Sequence, residues 1–504
     1  MERFYVTTAI PYANSAPHIG FAMEAIQADC LARYRRMLLD DVHFLTGTDE
    51  HGLKIAETAE KLGKTPAEHV EKTVKLNQDL KKQLNLSYDD FIRTTSDRHK
   101  RGAQKLWKKL VEAGDIYKGT YEGYYCSGCE AYVTERDIED GNCPIHKKPV
   151  RRFSEENYFF RLSKYSKKIG ELIESDKLKI VPKSRKNEFL NVVKEGLTDV
   201  SFSRPKSALK WGIEVPDDPE QIMYVWCDAL SNYITALDYE SNGELFEKYW
   251  PADVHVIGKD ILRFHAGIWI GMLLSANIEI PKNIYVHGFI TSGGHKMSKS
   301  LNNIVSPVEI VEKYGADPLR YYLLAEIPTT DDGDFTHKRF EELYNGELAN
   351  NLGNLVNRVV SMTNRYFNGF IPRATVLDEV IKKKYAYLWE KYHVAMSDFA
   401  LKKAIEEVMF CVDDANKYIE DKKPWVLAKN QTEELGNILY NLLEMIRHIG
   451  YALYPFMPST SKKILSALEL TPITDNFKKI EGWGKLISGG KVKKSEQLFP
   501  RIQV

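Results

Sequence analysis

The sequence predicts an α/β fold: a parallel sheet with helices on both faces, interrupted by a cysteine-bearing insertion and followed by an all-α helix bundle. Three observations predict it. β-prone runs alternate with helical periodicity in residues 1–62 and again in 253–290. Three cysteines, Cys126, Cys129 and Cys143, gather in a stretch without long helical repeats. From about residue 338 to 467 apolar side chains recur at helical spacing.

The elements follow in order. Phe4–Thr8 is a β-prone run ended by Pro11, and Ile19–Leu39 carries Ile19, Met23, Ile26, Leu31 and Leu38 at helical spacing. Val42–Leu45 is the second strand and His51–Leu62 the second helix. Residues 117–224 read as one insertion. The strands Asp253–Gly258 and Asn283–Ile290 then resume the sheet, with a helix at 260–274 between them. Further helices are expected at 338–366, 378–395, 398–421 and 431–452, and the Lys-rich 491–494 stretch as a solvated surface turn. The domains expected are 1–116 and 225–290 (two halves of the sheet domain), 117–224 (insertion), 291–345 (a lysine-motif loop and connecting region), 346–490 (helical domain) and 491–504 (tail).

Bulk properties exclude several classes. Lys+Arg and Asp+Glu are 70 each in 504 residues, so a nucleic-acid site must be a local patch rather than a whole-chain field. Six cysteines are too few for a disulfide scaffold. Met1-Glu2-Arg3-Phe4-Tyr5 lacks the apolar core of a signal peptide, and no apolar run reaches the ~18 residues of a membrane span. The expected location is the cytoplasm, with no membrane contact.

Two motifs carry the chemistry. Pro17-His18-Ile19-Gly20-Phe21 follows the first strand and opens the first long helix. A helix N-terminus offers unpaired N–H groups and a positive dipole end, which suit a phosphate. Gly20 admits close approach of a ligand, and His18 supplies a hydrogen-bond donor. Lys296-Met297-Ser298-Lys299-Ser300 follows Gly293-Gly294, so two lysines on a Gly-hinged loop can clamp a polyphosphate. Gly63-Lys64-Thr65 is no P-loop, because Thr58 stands where the first glycine belongs. Cys126-x2-Cys129 and Cys143-x2-His146 fit a closed tetrahedral, structural Zn²⁺ site.

In this order, the His-Ile-Gly and Lys-Met-Ser-Lys-Ser strings resemble the signature motifs of class I aminoacyl-tRNA synthetases. Thr8–Asn14 (TAIPYAN), Gly47–Gly52 (GTDEHG), Val225–Ala229 (VWCDA) and Gly258–Ile261 (GKDI) narrow the resemblance to the methionyl-tRNA synthetase family. It covers most of the chain from residue 3 onward, and implies a Rossmann-type catalytic domain, an inserted zinc-knuckle domain and an anticodon-binding bundle.

The resemblance implies ATP-dependent activation of L-methionine to methionyl-adenylate, with Mg²⁺ accompanying ATP, then transfer to the 3′ end of tRNA(Met), initiator and elongator. His18, Asn14, Lys296 and Lys299 would be catalytic. Gly20, Phe21, Gly258, Asp260, His287, Gly288 and Met297 would complete the ATP site, with Asp260 on the ribose. Ala9, Ile10, Tyr12, Trp226, Ala229, Leu230, Tyr233, Ile261 and His265 would enclose methionine, and Asp49 would take its ammonium group. Sulfur favours such aromatic walls. Asn354, Arg358, Pro424 and Trp425 would meet the anticodon.

This chain departs from the family where Phe21 replaces a second histidine and where Leu230 replaces a proline found in some relatives. The resemblance further implies a monomer, because no C-terminal oligonucleotide-binding extension follows Leu498–Arg501; a separate partner protein could supply that module. By pattern alone other readings stay open. Asp49 suits a helix N-cap, Trp226 and Tyr233 suit a core, and Pro424-Trp425 suits a helix start with a buried Trp. Another class I synthetase, such as the cysteinyl enzyme, and a zinc-containing RNA-binding protein without catalysis are the competing functions.

Overall fold

The computed structural model describes residues 2–126, 131–133, 138–145, 147–297, 303–429, 433–471, 480–494 and 496–503. Six strands form the main sheet: β1 (Arg3–Thr8), β2 (Asp41–Thr48), β3 (Asp90–Arg93), β4 (Lys179–Val181), β5 (Val254–Gly258) and β6 (Asn283–His287). Their order is β3-β2-β1-β5-β6-β4, and every pairing is parallel. β5 is buried along its whole length, which is why it reads as a run rather than an alternation. The expected α/β fold with a helical C-terminal half is what the chain forms.

The chain leaves β1 through α1 (Ile19–Met37) toward β2 on one side, and returns much later to β5 on the other. The crevice beyond the C-terminal ends of β1 and β5 is therefore the switch point where ligands bind in open α/β sheets.

The stretch expected as one insertion is not continuous. Ile116–Cys126 and Arg151–Phe160 form a long antiparallel pair that leaves the sheet domain. Lys179–Val181, however, pairs with β6 as the outer strand of the main sheet, and helix Lys183–Glu195 packs beside it. Three residues are too short to show a period, so only the partner strand identifies this element as sheet.

The bundle consists of α2 (Asn354–Phe367) and the helices Glu379–Ser397, Leu401–Lys422, Glu433–Ala452 and Pro458–Ala467. Its core is continuous with that of α1 and β1. Buried charges cross the seam. Asp29 of α1 binds both Arg33 and Arg320 at 2.7 Å, and Arg320 donates to the carbonyls of Pro455 and Phe456. Residues 491–494 are not a free turn: Val492 is buried and Lys491 bridges to Phe370. Among the described residues no helix is long and apolar enough to cross a membrane.

Candidate active site

The first motif sits at the switch point. His18 is the N-cap of α1, and its Nδ1 accepts from Gly20 N at 3.1 Å. No acidic residue lies in the first turn, so the positive end of the helix is left uncompensated. A Cβ on Gly20 would meet the His18 ring at 3.0 Å, so glycine keeps this turn closed around the imidazole. Surrounding protein lowers the pKa of His18 although it faces the crevice, and nearby Asp260 opposes the shift. Asn14 Oδ1 lies 3.2 Å from His69 Nε2. Phe21 is half-buried and packs on the apolar core.

Across the crevice, Gly258 ends β5 and His287 ends β6. A Cβ on Gly258 would lie 2.9 Å from Asp260 Oδ1 and 3.8 Å from His287 Nε2. His287 Nδ1 donates to the Gly288 carbonyl at 2.8 Å, and Nε2 meets Glu24 Oε2 of α1 at 2.9 Å. Burial pushes the Glu24 carboxyl up. For His287, burial opposes the charged form most strongly, but the bond to and charge of Glu24, the Gly288 carbonyl and Asp260 together outweigh it and the pKa is raised. Asp260 acts on His18, Glu24 and His287 alike, so these groups converge on one spot. Gly288 is needed because a Cβ there would fall 2.2 Å from the Asp331 carbonyl. That close approach seats Asp332, which binds Lys259 Nζ at 2.7 Å and accepts from Phe289 N at 2.8 Å.

The second motif begins on a hairpin rather than in an open loop. Ile290–Ser292 pairs with His295–Lys296 around Gly293-Gly294, both at positive φ (61° and 77°), as a tight two-residue turn requires. Asp334 Oδ1 anchors the hairpin by accepting from Gly294 N and Thr291 Oγ1. Lys296 is exposed, with its Nζ 5.5 Å from the Phe289 ring centre, and Met297 packs on the core that holds Phe21. Ser298, Lys299 and Ser300 lie outside the described residues. The described chain resumes at Asn303, whose Nδ2 donates to the Lys296 carbonyl at 3.2 Å, and the Val305 carbonyl accepts from Ile19 N at 3.2 Å at the start of α1.

Beside the crevice lies an apolar cluster. Ala9, Ile10, Tyr12, Trp226 and Ile261 pack against a cluster that contains Leu230 and Tyr233, and Ala229 is buried beside them. Trp226 stacks on Phe264 with ring centres 3.8 Å apart and planes 4° apart. His265 Nδ1 bonds the Ile261 carbonyl at 3.0 Å, so it carries the proton; Nε2 then accepts from Tyr233 Oη at 2.7 Å. Burial lowers the pKa of His265 to about 4, so it is neutral. Both its nitrogens are taken by protein, which makes it an orienting group for the pocket wall. Phe264 and His265 lie on a π-helical turn, Phe264–Trp269, a local widening frequent at functional sites.

Asp49 is not an N-cap: the next helix is capped by Gly52. Asp49 bridges to Tyr12, its backbone bonding Pro11 O and Ala13 N, so the two residues extend β1 and β2 side by side. Behind it, Asp228 is fully buried and accepts from His51 Nδ1 at 2.7 Å and His99 Nε2 at 2.8 Å. Burial alone would raise its pKa, but the two histidines hold it down at about 2. Glu24, Phe264, Asp228, His51 and His99 are absent from the sequence-derived site. His51 and Asp228 lie within the GTDEHG and VWCDA motifs, and Phe264 precedes His265, one turn beyond Ile261; Glu24 and His99 carried no signal.

In the insertion, Cys126 and Cys143 are buried together with Ile138 and Val150 packed on them. Two soft donors are thus brought together from a strand end and a tight turn (Lys147 N to Cys143 O, 2.8 Å), as a zinc knuckle requires. Cys129 and His146 lie outside the described residues, and among the described residues no group of three metal-ligating side chains forms.

On the bundle, Asn354 is exposed one turn before Arg358. Arg358 binds Glu420 at 2.7 Å and lies 5.7 Å from the Trp425 ring centre. Pro424 is buried, whereas Trp425 is 37% exposed, so it is a surface platform and not a core residue.

Comparison with known proteins accords with this arrangement. The family model "tRNA synthetases class I (M)" matches residues 4–152 and 146–360, and "Anticodon binding domain of methionyl tRNA ligase" matches 373–504. The methionine–tRNA ligase of Caldanaerobacter subterraneus subsp. tengcongensis is 46% identical over 100% of this chain and 79% of its own length. That of Clostridium tetani is likewise 46% identical, with the same coverage. The solved Mycobacterium tuberculosis methionyl-tRNA synthetase in complex with methionyl-adenylate superposes with a TM-score of 0.96 at 38% identity, covering 99% of this chain and 100% of that one.

Proposed function

The chain belongs to the methionyl-tRNA synthetase family of class I, and from that premise we propose how its residues carry out methionine–tRNA ligation. A methionine carboxylate oxygen attacks the α-phosphorus of ATP, a P–O bond forms, and pyrophosphate leaves. The 3′-terminal ribose hydroxyl of tRNA(Met), initiator or elongator, then attacks the acyl carbon and AMP leaves. No side chain becomes acylated; catalysis is positioning and charge stabilisation. The observation that carries the reading is the gathering of the α1 N-terminus, Asp260, the Glu24–His287 pair and the Lys296 hairpin about one switch-point crevice with an aromatic cluster beside it.

ATP, with Mg²⁺ as its counterion, places its triphosphate against His18, Gly20 and the positive dipole end of α1, with Asn14 at the edge. Asp260 and Glu24 face the ribose; Gly258, His287 and Gly288 shape its floor. Lys296, Met297 and Lys299 close over the leaving pyrophosphate. Asp49 takes the methionine ammonium, and the Trp226–Phe264 stack with Tyr12, Tyr233 and His265 walls the thioether. ATP–pyrophosphate exchange across the twenty amino acids tests this directly. Exchange with methionine alone is expected; exchange with another amino acid would overturn the pocket, and none with any would overturn the chemistry.

Phe21→His is expected to leave exchange equal or higher, because position 21 lies one residue past Gly20 at the crevice and a histidine there adds a donor. A loss of exchange in a folded variant would show that the packing of Phe21 on the core is itself required. Trp425→Ala is expected to spare exchange and cripple tRNA charging, since the platform stands on the bundle and stacking contributes about 1–3 kcal/mol per base. Equal loss of both activities would count against that role.

Cys126, Cys129, Cys143 and His146 would hold a structural Zn²⁺, which on binding cross-links the knuckle. Chelation is expected to release about one zinc per chain, lower the melting temperature and slow tRNA charging. A verified metal-free sample with unchanged melting and charging would refute the site. We place the enzyme in the cytoplasm as a monomer, with room for a separate tRNA-binding protein.

A further inference from the structure

α2 carries a second row of polar residues beyond Asn354 and Arg358. Asn357, Ser361 and Arg365 follow one face at helical spacing, with Asn364 beside them. The helix ends in a left-handed cap at Asn368 and Gly369 (φ 53° and 77°), and the chain turns back on itself there. The C-terminal segment docks against that turn: Ile371 N bonds Gly490 O, and Val492 N bonds Gly369 O, each at 2.7 Å. This short ladder carries Lys494 to the side of Arg365, 129 positions away in sequence. The result is an open groove of about 380 Å³ lined by Asn357, Val360, Ser361, Asn364, Arg365 and Lys494.

The groove has the character of a backbone-binding channel. No carboxylate lines it. Among the described residues neither Arg365 nor Lys494 makes an ion pair, whereas Arg358, one helical turn away from Ser361, is held by Glu420. Ser361 Oγ donates to Asn357 Oδ1 at 3.3 Å and Asn364 Nδ2 to the Val360 carbonyl at 2.8 Å, which fixes the groove wall; two exposed cations stand unneutralised beside the Asn357 amide, donors that suit phosphate and ribose oxygens. From Asn354 to Arg365 is about 16 Å along the helix, the length of a few nucleotides of single strand, and the groove begins where the Arg358–Trp425 platform ends.

We propose that this groove holds the ribose–phosphate backbone of the anticodon loop as it leaves the Trp425 platform, with Arg365 and Lys494 on successive phosphates. The proposal rests on the assignment of Asn354, Arg358 and Trp425 to the anticodon, and its test separates the two. Arg365→Glu and Lys494→Glu, both exposed, are expected each to raise the KM for tRNA about tenfold, with methionine-dependent exchange unchanged. The salt dependence of kcat/KM for tRNA is expected to flatten by about 0.7 in log–log slope for each cation replaced. The rise in KM is expected to be the same for tRNAs with altered anticodon bases, as backbone contacts carry no base information. Unchanged KM and salt slope, with Trp425→Ala still crippling charging, would remove the groove and leave the anticodon platform standing. A rise that depends on the anticodon base would make the groove a base reader and overturn the backbone assignment. Full charging by Trp425→Ala together with all the groove variants would overturn both.

Discussion

Lys296→Ala is expected to lower the rate of ATP–pyrophosphate exchange about 10²- to 10³-fold, or ~2.7–4 kcal/mol of transition-state stabilisation, with the KM for methionine nearly unchanged. Lys296 is exposed at the end of the Gly293-Gly294 hairpin and makes no ion pair among the described residues. Its removal therefore leaves no buried partner behind, and stability should change by less than ~0.5 kcal/mol. The hairpin is tied down by Asp334 at Gly294 N and Thr291 Oγ1, and Asn303 Nδ2 donates to the Lys296 carbonyl at 3.2 Å. A cation held this way meets the charge that develops on the leaving pyrophosphate, so the effect belongs in kcat and in kcat/KM together. A rise in the KM for ATP with kcat intact would mean that Lys296 binds the ground state only. No change in either would remove it from the chemistry.

Asp228→Ala is expected to cost about 3–5 kcal/mol of stability, measured by denaturant unfolding, because it strands the buried imidazoles of His51 and His99 without their shared acceptor. His51 belongs to the loop that presents Asp49, and Asp228 sits two residues after Trp226. Any variant that stays folded should therefore also show a raised KM for methionine. A loss below ~1 kcal/mol would show that water or rearrangement satisfies both rings.

The same carboxylate sets an acid limit. Its folded pKa of about 2 lies below the ordinary 3.8. The group therefore contributes its full stabilisation above pH ~4 and loses it as pH falls toward 2, a difference of about 2 kcal/mol at ~1.4 kcal/mol per pKa unit. Acid unfolding of Asp228→Asn should lack this component. An acid transition identical to that of the parent would assign it to other carboxylates.

What local sequence could determine here is whatever depends on neighbours a few residues apart. The periodicities of α1, β1, β5 and the bundle helices, the donor spacing at Cys126 and Cys143, and the phosphate-binding character of a helix opening with His18-Ile19-Gly20 are all short-range. So are the aromatic composition around Trp226 and the Gly-Gly turn before Lys296. Together with the family motifs they place the fold class and most of the residues that line the crevice.

The tertiary structure alone decided which distant groups meet. Glu24 reads as an ordinary polar position in a helix until the parallel register sets it against His287, 263 positions later. Asp228 reads as one acidic residue in a short helix until two histidines from the first sheet half close on it. Phe264 gains its role only through a π-helical turn that stacks it on Trp226. Lys179–Val181 is a strand only because β6 supplies its hydrogen bonds, and Lys494 stands beside Arg365 only because the C-terminal segment pairs with Gly369. In each case the partner is fixed by strand register and helix packing, which arise from the burial of the whole core and leave no period or spacing in the local chain.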